Sequence, residues 1–300
     1  MKIGVLSDIH SNMVALRECV TFMERQGCEE YILLGDYISD TPYTRGTLDY
    51  LYEFISSHKC TLIRGNREDY MLDQHKLIAG GGSSGIWIKN SASGNLLYAY
   101  EQLDERDFEF IEALPIAAVY KKEGYPAITI AHGSPDNSRQ LLQHDSDALK
   151  QWLEKIDTDY LLCGHTHFQG ITEYNGKKYF NPGSLGVAIG TPALAQCMIL
   201  NGSSEGWEPD FRLIPFDNRR VARDCFKMGL WSYAPWFVNS NIQILLSGFD
   251  NAARLVECAI KMKQEELKDG EQVNWPYIEE EYFAKAAEKT GVPAYTSDEI

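Results

Sequence analysis

The chain opens with the stretch Ile3-Gly4-Val5-Leu6-Ser7-Asp8-Ile9-His10, in which an apolar run ends in an acid, a spacer and an imidazole. Such a run is typical of a strand that is buried on both faces. Asp8 and His10 lie two residues apart, so their side chains point to the same side of an extended backbone. One divalent metal accepts both a carboxylate oxygen and an imidazole nitrogen. The stretch therefore indicates a metal site at a strand end; the alternative is an ordinary strand end with a solvated His10.

The same pattern returns further along the chain. Later apolar runs end in Gly35-Asp36, in Gly65-Asn66, in His132-Gly133 and in Gly164-His165-Thr166-His167. In open α/β sheets the polar chemistry lies at the carboxyl ends of buried strands, where the ligand crevice forms. We therefore expect these five strand ends to meet at one site.

Helical patterns lie between the first strands, over residues 13–25 and 47–56. This alternation predicts βαβ units and a largely parallel sheet at the start of the chain, hence an α/β fold. Strands and turns dominate residues 171–215. We predict a catalytic domain over residues 1–215 and a helical extension over 216–300, with a long amphipathic helix at 242–268 and another at 277–289. This extension packs on the first domain, covers the site or forms a contact between two copies of the chain.

Composition limits the classes of function. The 300-residue chain has the apolar content (44%) and charged content (24%) of an ordinary globular protein. Its formal net charge of −15 argues against long nucleic acid as a partner but not against small phosphorylated substrates. No apolar run is long enough to predict a membrane span or a secretory signal. The seven cysteines are scattered without a CxxC pair, which favours reduced thiols and a cytoplasmic location.

The residues at the strand ends form a ligand inventory of two carboxylates, one amide oxygen and four imidazoles. They are Asp8, His10, Asp36, Asn66, His132, His165 and His167. This is too many for one tetrahedral site and suits two metals that share a ligand. Two neighbouring dications repel each other, so a carboxylate must bridge them. Such a pair lowers the pKa of a bound water and attracts an anionic ester, which predicts phosphoryl hydrolysis by a metal-bound hydroxide.

These motifs, in this order, resemble the series of the calcineurin-like metallophosphoesterase superfamily. The turn Asn181-Pro182-Gly183-Ser184 is similar to one in its small bacterial phosphodiesterase branch. The resemblance covers residues 1–215 and implies a sandwich of two packed mixed β-sheets flanked by helices. It also implies two divalent ions as cofactors, drawn from Mn, Fe, Zn or Ni.

The resemblance further implies which residues hold each ion, with Asp36 as the bridge. The first ion would be held by Asp8, His10, Asp36 and His167. The second would be held by Asp36, Asn66, His132 and His165.

Arg67 departs from the family pattern, because many members have a histidine after Gly-Asn. A guanidinium cannot give up a proton at neutral pH, but it can bind phosphate oxygens with two hydrogen bonds. We expect Arg67 to stabilise transition-state charge; the alternative is a solvent-facing pair with Glu68 or Asp69. Our candidate catalytic residues are Arg67, Asp36 and His10, and our candidate substrate-binding residues are Asn66, Arg67 and His132.

Two further segments have less certain roles by sequence. Asp40 lies four residues after Asp36, and we expect it to form a turn with Thr41-Pro42 rather than to reach the site. The glycine-rich segment at residues 80–85 predicts a connecting loop, with a flap beside the site as the alternative.

The leading hypothesis is a metal-dependent hydrolase of a small phosphodiester or phosphomonoester. A nuclease of the same superfamily is one alternative, and the negative net charge of the chain counts against it. The other is a metal-binding scaffold with weak catalysis, whose helical tail binds a partner protein.

Overall fold

Two five-stranded β-sheets form the centre of the molecule in the computed structural model, which describes residues 1–268 and 270–300. The strands are β1 (Lys2–Leu6), β2 (Glu30–Leu33), β3 (Cys60–Leu62), β4 (Ala117–Tyr120), β5 (Ile128–Ala131), β6 (Tyr160–Leu162), β7 (Gly170–Tyr174), β8 (Lys177–Asn181), β9 (Leu194–Ser203) and β10 (Gly206–Pro215). The helices are α1 (Met13–Arg25), α2 (Thr44–Ser57), α3 (Asn66–Ala79), α4 (Gly94–Tyr100), α5 (Glu105–Ala113), α6 (Asp147–Lys155), α7 (Asn218–Lys227), α8 (Pro235–Ser247), α9 (Ala252–Glu266) and α10 (Glu280–Thr290).

The first sheet has the strand order β10-β9-β1-β2-β3. Its strands β1, β2 and β3 are parallel, and α1 and α2 connect them, as the alternating pattern predicted. The Asn12 side chain caps α1 by accepting a hydrogen bond from the Ala15 amide at 3.1 Å. The long hairpin β9–β10 joins this sheet antiparallel to β1.

The second sheet has the order β4-β5-β6-β8-β7, with β5, β6 and β8 parallel and the two edge strands antiparallel. The two sheets pack face to face, because one buried cluster contains Val5 and Met198 from the first sheet and Ile130 and Phe180 from the second. Helices cover the outer faces, with α1, α2 and α5 on the first sheet and α6 on the second. The expected sandwich of two mixed sheets is confirmed.

The predicted single helix over residues 242–268 is wrong. The chain leaves α8 at Gly248, which has φ of +72°, and it starts α9 at Ala252. A left-handed residue ends a helix, and glycine adopts this conformation without a Cβ clash. A side chain at this position would also meet Pro192 and Thr191. The last predicted helix exists, but it begins at Glu280 rather than at residue 277.

The part of the chain after residue 215 contacts the front of the chain through buried amides. The Asn241 side chain donates to the Asp40 carbonyl at 3.0 Å, and the Asn90 side chain donates to the carbonyls of Pro276 and Ile278. The domain boundary at residue 215 stays a prediction. Among the described residues, no helix is both long enough and apolar enough to cross a membrane.

Candidate metal centre

The seven residues of the predicted ligand inventory converge at the carboxyl ends of the central parallel strands. Asp8 follows β1, Asp36 follows β2, and Asn66 begins α3 shortly after β3. In the second sheet, His132 directly follows β5, and the two histidines of Gly164-His165-Thr166-His167 follow β6. Because parallel strands end at the same edge, both sheets deliver their polar residues to one place.

The charged and imidazole donors form two adjacent groups of three. One group is Asp8, His10 and His167, the other is Asp36, His132 and His165, and the ligand atoms of each group lie within 4.8 Å of one another. The groups adjoin, since His132 Nε2 lies 3.8 Å from Asp8 Oδ1. Asn66 adds its amide oxygen to the second group, where Oδ1 lies 3.0 Å from His132 Nε2.

The imidazole rings are oriented by partners behind them. Nδ1 of His132 donates to the Leu34 carbonyl at 2.6 Å, and Nδ1 of His167 donates to the Val187 carbonyl at 3.3 Å. These bonds place the proton on Nδ1 and leave the Nε2 lone pair for a ligand, as is usual for metal-binding histidines.

The distance between the ring nitrogens of His10 and His167 bears on whether the donors fit a metal. Their Nε2 atoms lie only 3.1 Å apart. His10 Nδ1 lies 2.8 Å from Asp40 Oδ2, which favours the Nδ1 proton in this ring as well, although the N–H is not aligned for a hydrogen bond. Two lone pairs at this distance repel each other, and either a proton on one nitrogen or a cation bound by both removes the repulsion. The donor set of imidazoles and carboxylates therefore fits divalent cations.

The backbone at these residues is unusual. Positive φ angles are found at Asp8 (53°), His10 (48°), Asp36 (53°), His165 (65°) and His167 (60°). Left-handed backbone is costly for residues other than glycine, and it persists where surrounding contacts hold it. Such contacts are present here, because the His165 amide donates to the Asp8 carboxylate and the His10 amide donates to the Asp36 carbonyl at 2.9 Å. The fold therefore holds these side chains at the cost of backbone strain.

The charges of the centre favour cation binding. Burial opposes ionisation of Asp8, but the neighbouring His167 and His132 outweigh it and hold the pKa of this carboxyl well below its usual range. For Asp36, His132 and His10 likewise outweigh burial and lower the pKa to about 2. Burial and the adjacent His132 lower the pKa of His165 to about 4. Against the effect of burial, the same carboxylates raise the pKa of His132 to about 9 and also raise the pKa of His167, so a cation that binds these rings would displace their protons. The centre thus offers anionic carboxylates and, at His165, a neutral ring.

Glu68 was not singled out by the sequence, although it supports the site. Its buried carboxylate accepts hydrogen bonds from the backbone amides of Asp36 (2.8 Å), Tyr37 (2.9 Å) and Gly65 (2.8 Å). Burial and the charge of Asp36 raise the pKa of Glu68 to about 7. The sequence carried a signal, because a glutamate three residues after a helix N-cap is typical of a capping box. Glu68 joins the turn that presents Asp36 to the start of α3.

The expectation that Asp40 only forms a turn is wrong, because its buried side chain reaches the site. Asp40 Oδ2 lies 2.8 Å from His10 Nδ1 and 2.9 Å from Arg67 Nη2, and Oδ1 accepts a hydrogen bond from Asn95 at 2.7 Å. The adjacent guanidinium and imidazole outweigh burial and hold the pKa of this carboxyl well below its usual range. The positive φ of Asp40 (67°) turns the chain back toward His10. Sequence reasoning missed this contact because its partners come from distant segments.

Arg67 does not pair with Glu68 or Asp69, and Asp69 instead pairs with Arg64 at 2.7 Å. The Arg67 side chain is 21% exposed, and its Nε lies 3.9 Å from Asp36 Oδ2. Among the described residues, this Nε has no hydrogen-bond partner. The solvent-facing alternative for Arg67 is therefore wrong, and a free donor of its guanidinium lies beside the two groups of metal donors.

A cleft of about 610 Å³ opens over the two groups. Its floor includes His10, Asp36 and Arg67, and the helices after residue 215 supply a wall that includes Phe237 and Asn241. The cleft is therefore built from both parts of the chain.

His58 and His75, which belong to no motif, lie outside the cleft. They stack on Phe54 and Phe108 respectively.

Comparisons with known proteins agree with this architecture. The model of the calcineurin-like phosphoesterase superfamily domain matches residues 1–203. A hypothetical protein from Pyrococcus horikoshii is 20% identical with a TM-score of 0.66, covering 83% of this chain and 99% of its own. A metallophosphoesterase from Sphaerobacter thermophilus is 18% identical with a TM-score of 0.64, covering 83% of this chain and 100% of its own. At such identities these two structures show a shared fold. No curated protein matches the sequence.

Proposed function

The chain belongs to the calcineurin-like phosphoesterase superfamily, and we propose that it hydrolyses a small phosphate ester with two divalent cations bound at its strand ends. The observation that carries this proposal is the pair of adjacent three-donor groups at the floor of one cleft. Cations bound there would activate water and polarise the phosphate ester as Lewis acids.

Each proposed cation has four ligands. Asp8, His10, His167 and Asp36 would hold the first, and Asp36, Asn66, His132 and His165 would hold the second. The position of Asp36 supports its role as the bridge, because Oδ1 lies 3.4 Å from His132 Nε2 and Oδ2 lies 3.8 Å from His10 Nε2. Each oxygen thus faces a different group. Imidazole and carboxylate ligands bind Mn, Fe, Zn and Ni alike, so the ligand set does not select one metal from those that the family uses.

Arg67 would bind the phosphate and stabilise the charge that develops during hydrolysis. Asp40 holds the guanidinium through Nη2, and the exposed part of the Arg67 side chain lines the cleft, where the guanidinium would donate to a phosphate oxygen. Asn66 lines the same cleft, and we propose that Asn66 and His132 contact the phosphate. His10 and Asp36 would act in catalysis through the cations that they would hold. Since arginine keeps its proton at neutral pH, it cannot protonate the leaving group. This favours diesters or esters with good leaving groups over simple alkyl monoesters.

A direct test combines metal analysis with turnover. Metal-reconstituted protein should contain about two ions per chain and hydrolyse bis-p-nitrophenyl phosphate faster than p-nitrophenyl phosphate, and chelation should abolish both activities. His165→Ala should lose metal and activity, whereas His58→Ala, outside the centre, should keep both. Full metal occupancy without turnover of any phosphate ester would instead support the scaffold alternative. Cleavage of a plasmid or an oligonucleotide at a comparable rate would support a nuclease.

A further inference from the structure

A second cavity, of about 460 Å³, adjoins the cleft that opens over the two groups of metal donors. Arg67, Phe237 and Val256 line both spaces, so these three side chains form the boundary between them. We call the second space the aromatic cavity, after the four aromatic residues in its wall. They are Tyr70, Trp87, Phe237 and Trp275.

The wall of the aromatic cavity suits a planar ring. Trp87 is 6% exposed and forms its inner part, whereas Trp275 is 41% exposed at the surface of the protein. The Arg139 guanidinium lies 4.7 Å from the centre of the Tyr70 ring and pairs with Asp73, which fixes the orientation of this wall. Aromatic side chains bind planar groups by stacking and by edge-to-face contact. Apolar pockets with a few polar groups are typical of small-molecule sites.

Gln74 supplies a polar group without a partner. It lines the aromatic cavity and is only 4% exposed. Its Nε2 has no hydrogen-bond partner among the described residues. A buried amide donor is costly to leave unpaired, so an unpartnered one calls for a ligand or a water. Nε2 itself is not accessible from the cavity, so a rotation of the Gln74 amide would be needed for it to donate to an acceptor on a ring bound there.

We propose that the aromatic cavity binds the organic group of the phosphate ester, and that this group carries a planar ring with a hydrogen-bond acceptor. The inference rests on the proposed function, because it places the phosphate between the metal donors and Arg67. From there the organic group would pass the boundary formed by Arg67, Phe237 and Val256. A heterocyclic base and a substituted aryl group share this chemistry, and the substrates below distinguish them.

The test compares esters that differ mainly in the ring. One pair is adenosine 5′-monophosphate and ribose 5-phosphate, and the other is 2-phenylethyl phosphate and hexyl phosphate. All four are assayed as monoesters and as methyl diesters. We expect kcat/KM to favour the adenosine ester over the ribose ester by about tenfold or more, and the phenyl pair to show a smaller preference because phenyl lacks the acceptor. Equal rates within both pairs would overturn the inference and leave the phosphoesterase proposal intact.

Two variants and one control test whether the preference for the adenosine ester arises in the aromatic cavity. Trp275→Ala and Gln74→Met should each bring the adenosine-to-ribose ratio close to one. Phe249→Ala removes an aromatic side chain that is 56% exposed and lines neither space, so it should keep the ratio. An unchanged ratio in both cavity variants would contradict the assignment.

A binding measurement separates failure of the inference from failure of the proposed function. Metal-free protein is titrated with adenosine, and tryptophan fluorescence is recorded. Saturable binding that weakens about tenfold in Gln74→Met supports the cavity even if no ester is hydrolysed. Absence of saturation up to the solubility limit of adenosine overturns the inference, whether or not any ester is hydrolysed.

Discussion

The strand ends before residue 215 and the helices after it line the same cleft with different kinds of side chain. The strand ends present carboxylates and imidazoles that lie within a few residues of a strand, and all of them except His132 have a positive φ. The helices present Phe237, Asn241 and Val256 from ordinary helical faces that carry no motif. In this molecule, chemistry is therefore concentrated where strands end, and the shape of the cleft depends on helices that pack across it.

Asp40 connects the two regions. Its carboxylate contacts His10 and Arg67, whereas its backbone carbonyl accepts a hydrogen bond from Asn241 in α8. A change in the helical wall can thus reach the metal centre through a single residue. The predictions below test whether the two regions contribute separately, and they run from the largest expected effect to the smallest.

Asp36→Asn should have the largest effect, because it removes the charge that would bridge the two cations. We expect kcat/KM for bis-p-nitrophenyl phosphate to fall by about a thousandfold, or roughly 4 kcal/mol, with loss of bound metal. Metal analysis and steady-state kinetics measure this. Asp159→Asn, at an exposed position, serves as the matched control. Normal turnover by Asp36→Asn would mean that the strand ends are not the centre of the chemistry.

Arg67→Ala should lower kcat by about tenfold or more while the metal content stays unchanged. The reason is that Arg67 would stabilise charge without holding a cation. Arg67→Lys keeps the charge but not the two-point geometry, so it should recover only part of the loss. An unchanged kcat in Arg67→Ala would contradict the role of Arg67 in the transition state.

The Asp107→Asn variant tests a polar contact between two helices that lies away from the cleft. Its buried carboxylate accepts hydrogen bonds from Arg45 (2.6 Å) and Tyr52 (2.7 Å), which join α2 to α5. Burial opposes ionisation, but the bond from Arg45 outweighs it and lowers the pKa of Asp107. Asp107→Asn should therefore lower the free energy of unfolding by about 1.5–3 kcal/mol at pH 7, without loss of metal or of kcat.

The pH dependence of this effect has a definite sign. Because the pKa of Asp107 is lower in the folded state, its stabilisation is present above the ordinary value of 3.8. It is lost as the pH falls through the folded value. Urea unfolding should thus show a gap between wild type and Asp107→Asn that narrows in acid. A gap that widens below pH 4 would contradict the assigned direction.

Asn241→Leu should have the smallest effect among the variants that change catalysis. It removes the hydrogen bond to the Asp40 carbonyl and changes the cleft wall, so KM should rise more than kcat falls, by a few-fold, with metal retained. Asn218→Leu removes a comparable bond, to the Leu245 carbonyl, outside the cleft and should leave KM unchanged. A larger fall in kcat than rise in KM would show that the helical wall acts on the chemistry itself.

Local sequence features predicted the parallel strands and the residues that converge at their ends, whereas the family resemblance implied the two-sheet sandwich. Each of these residues follows a short apolar run, and each such run is a strand or leads directly from one. The helix at residues 242–268 was wrong because amphipathic spacing continues through Gly248, while the conformation of that one residue divides the segment. Periodicity describes faces of helices and carries little information about where a single glycine turns left-handed.

The sequence by itself determined the parallel strands and the residues gathered at their ends, because these depend on patterns within a few residues of each strand. The order of these motifs indicated the family, and the resemblance to that family implied the two-sheet architecture. Only the tertiary structure decided that Asp40 contacts His10, that Glu68 holds the Asp36 turn, and that an aromatic cavity lies behind Arg67. These features join segments far apart in the chain, such as residues 40, 95 and 241. Contacts between such segments depend on how the sheets and helices pack, which no local pattern encodes.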